Sequence, residues 1–495
     1  GAFGKNALKV NTTGAGNNAF GESSLDANTT GHNNAAFGYV TLTSNTTGIY
    51  NAAFHQGLVN NTTGDCNSAF GFQSLYNNTT ATNNTALGYN VMAVSTTASS
   101  NTGVGSYALD ALTTGAANNA LGSAAASSLT TGNYNSAVGN EALESATTGN
   151  HNNAFGYQAL HVTTTGHSNT ALGGHSMTAN TTGAHNTAVG YWSLGAGTQT
   201  GDDNVAVGSH SLFNNTSGDY NIAIGRNAMY NMTTGNGNIA MGYQALKDNT
   251  TAGNNIAIGY EAMVSSSGAG CVAIGKRALE NMTAGTNVAV GHNAMEAGTT
   301  AEYCVAVGNE AMKDVTSSHW SVAVGRRALT RLTSGSNNTA VGQGCAQHVT
   351  TGAYNTAMGG DALQQTTTGQ YNTAIGRVAL GANTTGSYNT AVGAFAQDSV
   401  TTGGSNATLG TYNLDGCTTG GYNTTMGHDT ARSLSTGSNN LLLGHQAGQS
   451  GSPHTVTTGS NNIVLGNNNI GNAYVKVSWT TGSDQRDKTD IQDIT

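Results

Sequence analysis

The sequence predicts an all-β protein, a parallel β-solenoid or β-roll of about 28 seventeen-residue coils. Three observations carry this. An apolar residue followed by glycine returns at a nearly constant step, from Ala2-Phe3-Gly4, Ala19-Phe20-Gly21 and Ala36-Phe37-Gly38 through Ala223-Ile224-Gly225 to Val464-Leu465-Gly466. A second large apolar column (Leu8, Leu25, Leu109, Leu160, Met229, Leu279, Leu329) follows each glycine at fixed spacing, and a Thr-Thr-Gly turn follows that. Finally, 495 residues hold 70 glycines but a single proline, as expected of a chain that is nearly all ladder and turn.

Each column has a physical reading. The consensus is N-T-A-(V/I/F/L/M)-G-x-x-A-(L/M)-x-x-x-T-T-G-x-x. Two large apolar residues per copy, with alanine as an inward neighbour, describe a thin interior in which each side chain stacks on the coil above and below. No heptad is present, and each Thr-Thr-Gly interrupts any helical period. Thr-Thr-Gly and the Gly, Asn or Asp residues after it are expected to supply turns at positive φ. Asparagine two places before the alanine (Asn17, Asn34, Asn51, Asn118, Asn186, Asn255, Asn355, Asn440) predicts a stacked amide ladder. Its exceptions, Cys271, Cys304 and Ser321, are all small. Short strands at constant register then stack about 4.8 Å apart, giving a rod on the order of 130 Å.

Composition excludes several functions. Only 8% of residues are charged, and 15 cationic against 24 acidic residues leave a net charge of -9, with no basic stripe for nucleic acid. No apolar run is long enough to insert in a membrane. Five cysteines (Cys66, Cys271, Cys304, Cys345, Cys417) show neither a disulfide framework nor zinc spacing and read as small fillers. The histidines show no metal spacing, so no metal and no cofactor is expected. Paired carboxylates, a phosphate loop and a nucleophile elbow are all missing, so the chain is not expected to act as an enzyme on an external substrate. The chain opens at Gly1 inside a repeat and reads as part of something longer.

Two columns vary. One follows the glycine (Tyr39, Tyr157, Tyr191, Arg226, Tyr243, Tyr260, Lys276, Arg326, Arg377, His428) and the other precedes the asparagine ladder (Tyr50, Tyr134, His151, His185, Tyr220, Tyr303, Trp320, Tyr354, Tyr371, Tyr388, Tyr422). Variable columns are expected to face solvent or another chain. Trp320, Tyr354, Tyr371, Tyr388 and Tyr422 are the candidate binding residues, for a glycan or a protein.

Motifs such as Asn135-Ser136-Ala137-Val138-Gly139 and Asn221-Ile222-Ala223-Ile224-Gly225 resemble the N-S-x-A-I-G repeats of YadA-type heads. The resemblance covers about residues 1–470. It implies a left-handed β-roll and a homotrimer, as in trimeric autotransporter adhesins and in similar arrays of phage tail fibres. Residues 471–482 read as a short strand connector, with alternation over Ala473–Trp479. The chain closes on Ser483-Asp484-Gln485-Arg486-Asp487-Lys488-Thr489-Asp490-Ile491, which resembles the S-D-x-R-x-K-x-(D/N)-I opening of the intramolecular chaperone, or peptidase S74, domain. Residues 483–495 are then the start of that domain. The resemblance implies chaperone-assisted trimerisation and autocleavage after Ser483, with Lys488 as the base that takes the hydroxyl proton. Only the opening of the domain lies in this sequence, so autoproteolysis is expected only with the complete domain.

These features together lead us to expect a structural fibre protein, the trimeric shaft of a phage tail fibre, extracellular on the virion. It would meet other tail proteins and a host-surface glycan or protein receptor. A bacterial trimeric surface adhesin, on the cell surface, is the alternative.

Overall fold

The computed structural model describes residues 1–450, 452 and 454–472. They are all β and turn, with no α-helix and hence no helix long and apolar enough to cross a membrane. The chain divides into two compact units, Gly1–Thr368 and Gly369–Thr495. In the first, β1 (Ala2–Phe3) through β22 (Thr356–Met358) form successive rungs of a parallel solenoid; in the second, β23 (Thr373–Ile375) through β28 (Ile463–Leu465) do the same. Neighbouring rungs pair parallel and in register, alanine on alanine: Ala19 with Ala36, Ala36 with Ala53, and in the second unit Ala374 with Ala391.

Counting each coil from the ladder asparagine as position 1, the strand occupies positions 2 to 4. Side chains alternate along so short a strand. From β2 (Asn18–Phe20) on, the central residue of each rung, alanine in most, is buried, and both flanks are intermediate or exposed. The two-anchor interior is therefore corrected. Position 9 is inward, with Leu25, Leu42, Leu109 and Leu160 fully buried, but position 4 is outward: Phe20 is 44% and Leu121 52% exposed. The period-two strand decides this, because burying alanine forces its large neighbour out.

A third inward column, position 12, holds Asn28, Asn45, Asn61 and Asn78 in the first coils and Leu112, Leu129, Met232, Met282, Val315, Leu332 and Val349 further along, all buried. Core volume is conserved across columns rather than within them. Gly103 replaces the strand alanine where a Cβ would meet Val91 Cγ1 at 2.6 Å. In the second unit, Leu442 takes the alanine place while position 9 of that coil is Gly448, whose Cβ would collide with Leu442 Cδ2. A buried leucine contributes roughly 1.5–3 kcal/mol, so these exchanges keep each coil filled.

Turn chemistry matches expectation after the Thr-Thr-Gly but not at its glycine. The glycine after the strand is left-handed (Gly21 at φ 133), and a Cβ there would sit 2.2 Å from Gly38 O. The glycine of Thr-Thr-Gly is not at positive φ. Gly14 is needed because a Cβ would meet Gly31 O and Asn11 Oδ1 at 2.2 and 2.5 Å. Close approach of coils, not φ, selects it. Positive φ falls on position 17, the second residue after Thr-Thr-Gly, as expected (Gly16 at φ 72, Asn33 at φ 58), and also on positions 7 and 9, including the buried Leu25 (φ 52) and Leu42 (φ 52). Left-handed leucine is strained by about 1–2 kcal/mol, and ladder bonds such as Leu25 N to Thr41 O, 3.1 Å, hold it there.

The asparagine ladder is present and does more than stack. Asn34 donates its backbone N–H (2.9 Å) and Nδ2 (3.2 Å) to Asn17 Oδ1, and Nδ2 also donates across the coil to Gly48 O at 2.8 Å. One amide thus links its neighbour's amide to its own turn. Position 12 carries a second amide ladder, with Asn28, Asn45, Asn61 and Asn78 donating in sequence at 2.7 to 2.9 Å. It ends where Ser95 follows, leaving Asn78 Oδ1 buried without a donor.

Candidate functional site

Two surfaces stand out. The first is the outward strand face, formed by positions 2 and 4. Position 4 is apolar along both units, and among the described strands neither column carries a charge. In the first coils Phe20, Phe37, Phe54 and Phe70 stack ring on ring at centroid distances of 5.1, 4.9 and 4.7 Å. From β13 (Val205–Val207) to β20 (Val322–Val324), position 2 is also valine or isoleucine, so eight consecutive rungs read Val-Ala-Val, Ile-Ala-Ile or Ile-Ala-Met, or Val-Ala-Ile. In the second unit the same face makes an apolar hollow of about 360 Å³ lined by Val392, Leu409, Met426 and Leu443. Monomers rarely expose contiguous apolar patches beyond a few hundred Å², and larger ones mark contact surfaces.

The second surface is the aromatic column at position 17. Left-handed backbone at Trp320 (φ 54), Tyr354 (φ 59), Tyr388 (φ 63) and Tyr422 (φ 58) turns these side chains outward, and all are exposed. Trp320 lies parallel to Tyr303 (6.2 Å, 5°), and Tyr371 to Tyr388 (5.1 Å, 5°). Within such pairs the facing ring surfaces cover each other, while the other side of the Tyr388 ring borders a hollow. The column is interrupted by Ser405. Tyr388 and Tyr422 therefore flank an open hollow of about 420 Å³ floored by Gly404, Ser405 and Gly421. The candidate residues of the second unit are thus brought to one hollow, apart from Tyr371.

Ser483 and Lys488, with the connector strand, lie outside the described residues. The buried cysteines are inert: burial pushes up the thiols of Cys271, Cys304 and Cys417, and that of Cys345 up to about 12. Cys66 is exposed.

Sequence reasoning missed three groupings. An ion-pair staircase climbs positions 7 and 10 of the central coils, with Arg277 on Glu261 (2.8 Å) and Glu296 (3.9 Å), Lys313 on Glu296 (3.6 Å), and Arg327 on Glu310 (2.7 Å). Its hydrogen bonds hold Glu261 and Glu310 below the ordinary glutamate range. Glu141, Glu144 and His161 meet on one side, with His161 Nε2 2.5 Å from Glu144 Oε2. His428, Asp429 and His445 meet in the second unit. The signal in each case is a charge or imidazole recurring one coil apart at the same position.

No protein-family model matches the chain, and no curated protein matches it.

Proposed function

We propose that this chain is the shaft of a phage tail fibre, a homotrimer that holds a receptor-binding region away from the virion and contacts host-surface glycan or protein along its side. The uncharged, apolar strand face is the observation that carries the reading. A slender solenoid that buries alanine and shows valine, isoleucine and phenylalanine outward has a face in need of a partner, and identical chains supply the same face in register. Hydrophobic stabilisation of about 25 cal/mol per Å² makes such a stripe, repeated over many coils, a strong association surface. The trimer, the left hand of the coil and the chaperone ending rest on the resemblances given above. The Ser483-to-Ile491 motif favours a tail fibre over a bacterial surface adhesin. The hollow between Tyr388 and Tyr422 supports a side contact with sugar or protein.

Mass measurement of the assembled particle tests the reading. A mass near three times 49.8 kDa is expected, and a monomer would overturn it. Val290→Lys with Val307→Lys places cations on the strand face without touching the buried alanines, and should yield folded single chains. A trimer unaffected by both changes would move the interface elsewhere. In the full-length gene, Ser483→Ala should leave the C-terminal domain attached; unchanged processing would remove Ser483 from its role.

A further inference from the structure

We propose that His428, Asp429 and His445 form a binding site for a divalent transition-metal cation of the zinc type on the side of the second unit. His428 and His445 occupy position 6 on successive coils, with ring centroids 5.6 Å apart and planes inclined by 24°. Consecutive side chains in a strand diverge, but Asp429 is left-handed at φ 54, and this turn sets its carboxylate beside the preceding imidazole. Asp429 Oδ2 lies 3.5 Å from His428 Nδ1, and one donor atom from each of the three residues lies within 4.8 Å of the others. Zinc bonds to nitrogen and oxygen of about 2.0–2.2 Å put ligand atoms roughly 3.3 Å apart in a tetrahedron. Rotation of exposed imidazoles closes that gap without moving a coil.

The carboxylate is already set for this use. Its other oxygen, Oδ1, is shielded from solvent and accepts no hydrogen bond, and it faces Arg432 Nη1 at 3.5 Å. Arg432 Nε is in turn 3.3 Å from Asp415 Oδ2. Arg432 therefore stands as a charged neighbour of one carboxylate oxygen while the second lies beside the His428 imidazole, an arrangement like that of the outer partners that orient a metal's ligands. Two imidazoles and one carboxylate suit zinc, nickel or cobalt rather than calcium or magnesium, which select oxygen. Three protein ligands leave positions open to water or to an incoming group. The Glu141, Glu144 and His161 cluster differs because His161 is already engaged by a carboxylate at 2.5 Å.

Calorimetric titration of zinc chloride into the full chain tests the site, alongside His428→Ala, His445→Ala and Asp429→Asn. Both imidazoles are exposed and Asp429 is half-buried, and circular dichroism of each variant checks the fold. One zinc per chain is expected, weakened at least about tenfold by each imidazole substitution, since even outer partners of a metal contribute 10–100-fold. Cobalt should give a visible absorption band in the unmodified chain that both histidine variants lack. Absence of zinc binding overturns the proposal. So does equal binding by the His428→Ala, His445→Ala double variant, which would place the cation on other histidines. Neither result depends on how many chains assemble.

Discussion

Within the first unit, the coils up to Val104 and those from Ile239 to Val324 share one backbone and fill it differently. The N-terminal coils hold two amide ladders, at Asn17-Asn34-Asn51-Asn67 and at Asn28-Asn45-Asn61-Asn78, beneath an outer column of stacked phenylalanines. The central coils break the first ladder at Cys271, Cys304 and Ser321, so that Asn255 Oδ1 accepts the Cys271 backbone N–H (2.9 Å) but no side-chain amide from that coil. They replace much of the second ladder with Met282, Val315 and Leu332. The ion-pair staircase from Glu261 to Arg327 covers the same stretch. Among the described residues of the N-terminal coils, by contrast, the one ion pair is Lys5–Glu22 at 3.8 Å, exposed at both ends. A repeat can thus trade interior hydrogen bonds for apolar filling and surface charge, provided the backbone approach of coil to coil is kept.

The largest effect should come from attacking what the regions share. Gly21→Ala and Gly308→Ala would each set a Cβ on the next coil's carbonyl, at 2.2 and 2.5 Å respectively. Both should destabilise their coils by about 3 kcal/mol or more, read as lost amide-exchange protection confined to neighbouring coils. A large loss at one site and none at the other would break the claim of a common backbone. The next effect separates the regions. Asn45→Leu removes the donor to Asn28 Oδ1 and one acceptor of Asn61 Nδ2, and Val315→Asn buries an amide with no amide above or below. Each swap should cost about 1–3 kcal/mol, although both residues are native to position 12 elsewhere.

Thiol labelling sharpens the comparison without mutation. Cys66 in the N-terminal coils should react fast in the native chain, whereas buried Cys271 and Cys304 should react only on unfolding. Rapid labelling of all three would refute the packed central core. The smallest effect is electrostatic. Glu261 and Glu310 are held below the ordinary glutamate range by hydrogen bonds from Arg277 and Arg327. A folded value below the unfolded one means that their contribution is present above pH 4.5 and is lost as pH falls through the folded values. Glu280, raised by burial, acts in the opposite sense. Central coils should therefore lose a little exchange protection on acidification that N-terminal coils keep, and about 1 M salt should mute the difference. Equal behaviour of both regions would show that the staircase contributes nothing.

Much of this was legible in the sequence. The step, the parallel rungs, the Asn17-type ladder and the exposed Tyr354 and Tyr388 column all follow from residues that repeat in identity. Which large column faces inward was not read from identity, since Phe20 and Leu25 are both large and apolar; only the two-residue strand period, anchored on a buried alanine, tells them apart. Position 12 escaped because it alternates between asparagine and Leu, Met or Val, and a consensus reduces that to a blank. Its mark is that no charged residue occurs there. The His428, Asp429 and His445 grouping escaped because linear spacing hides it: His445 is near only once coils are stacked.

In-register stacking also sets a hazard for the growing chain. Ala36 rests on Ala53, and Ala53 on Ala69, so a strand that skips one neighbour and joins the next still finds methyl on methyl and amide on amide. Correct threading must come from the misfits. The coil at Asn51 steps to Asn67 in 16 residues, with His55 (φ 51) standing where its neighbours have glycine, and the coil at Asn186 steps to Asn204 in 18. Like the uneven graduations of a vernier, these coils break the regular step at fixed places along the chain. Evening them out would leave every rung intact and erase the information about which rung comes next.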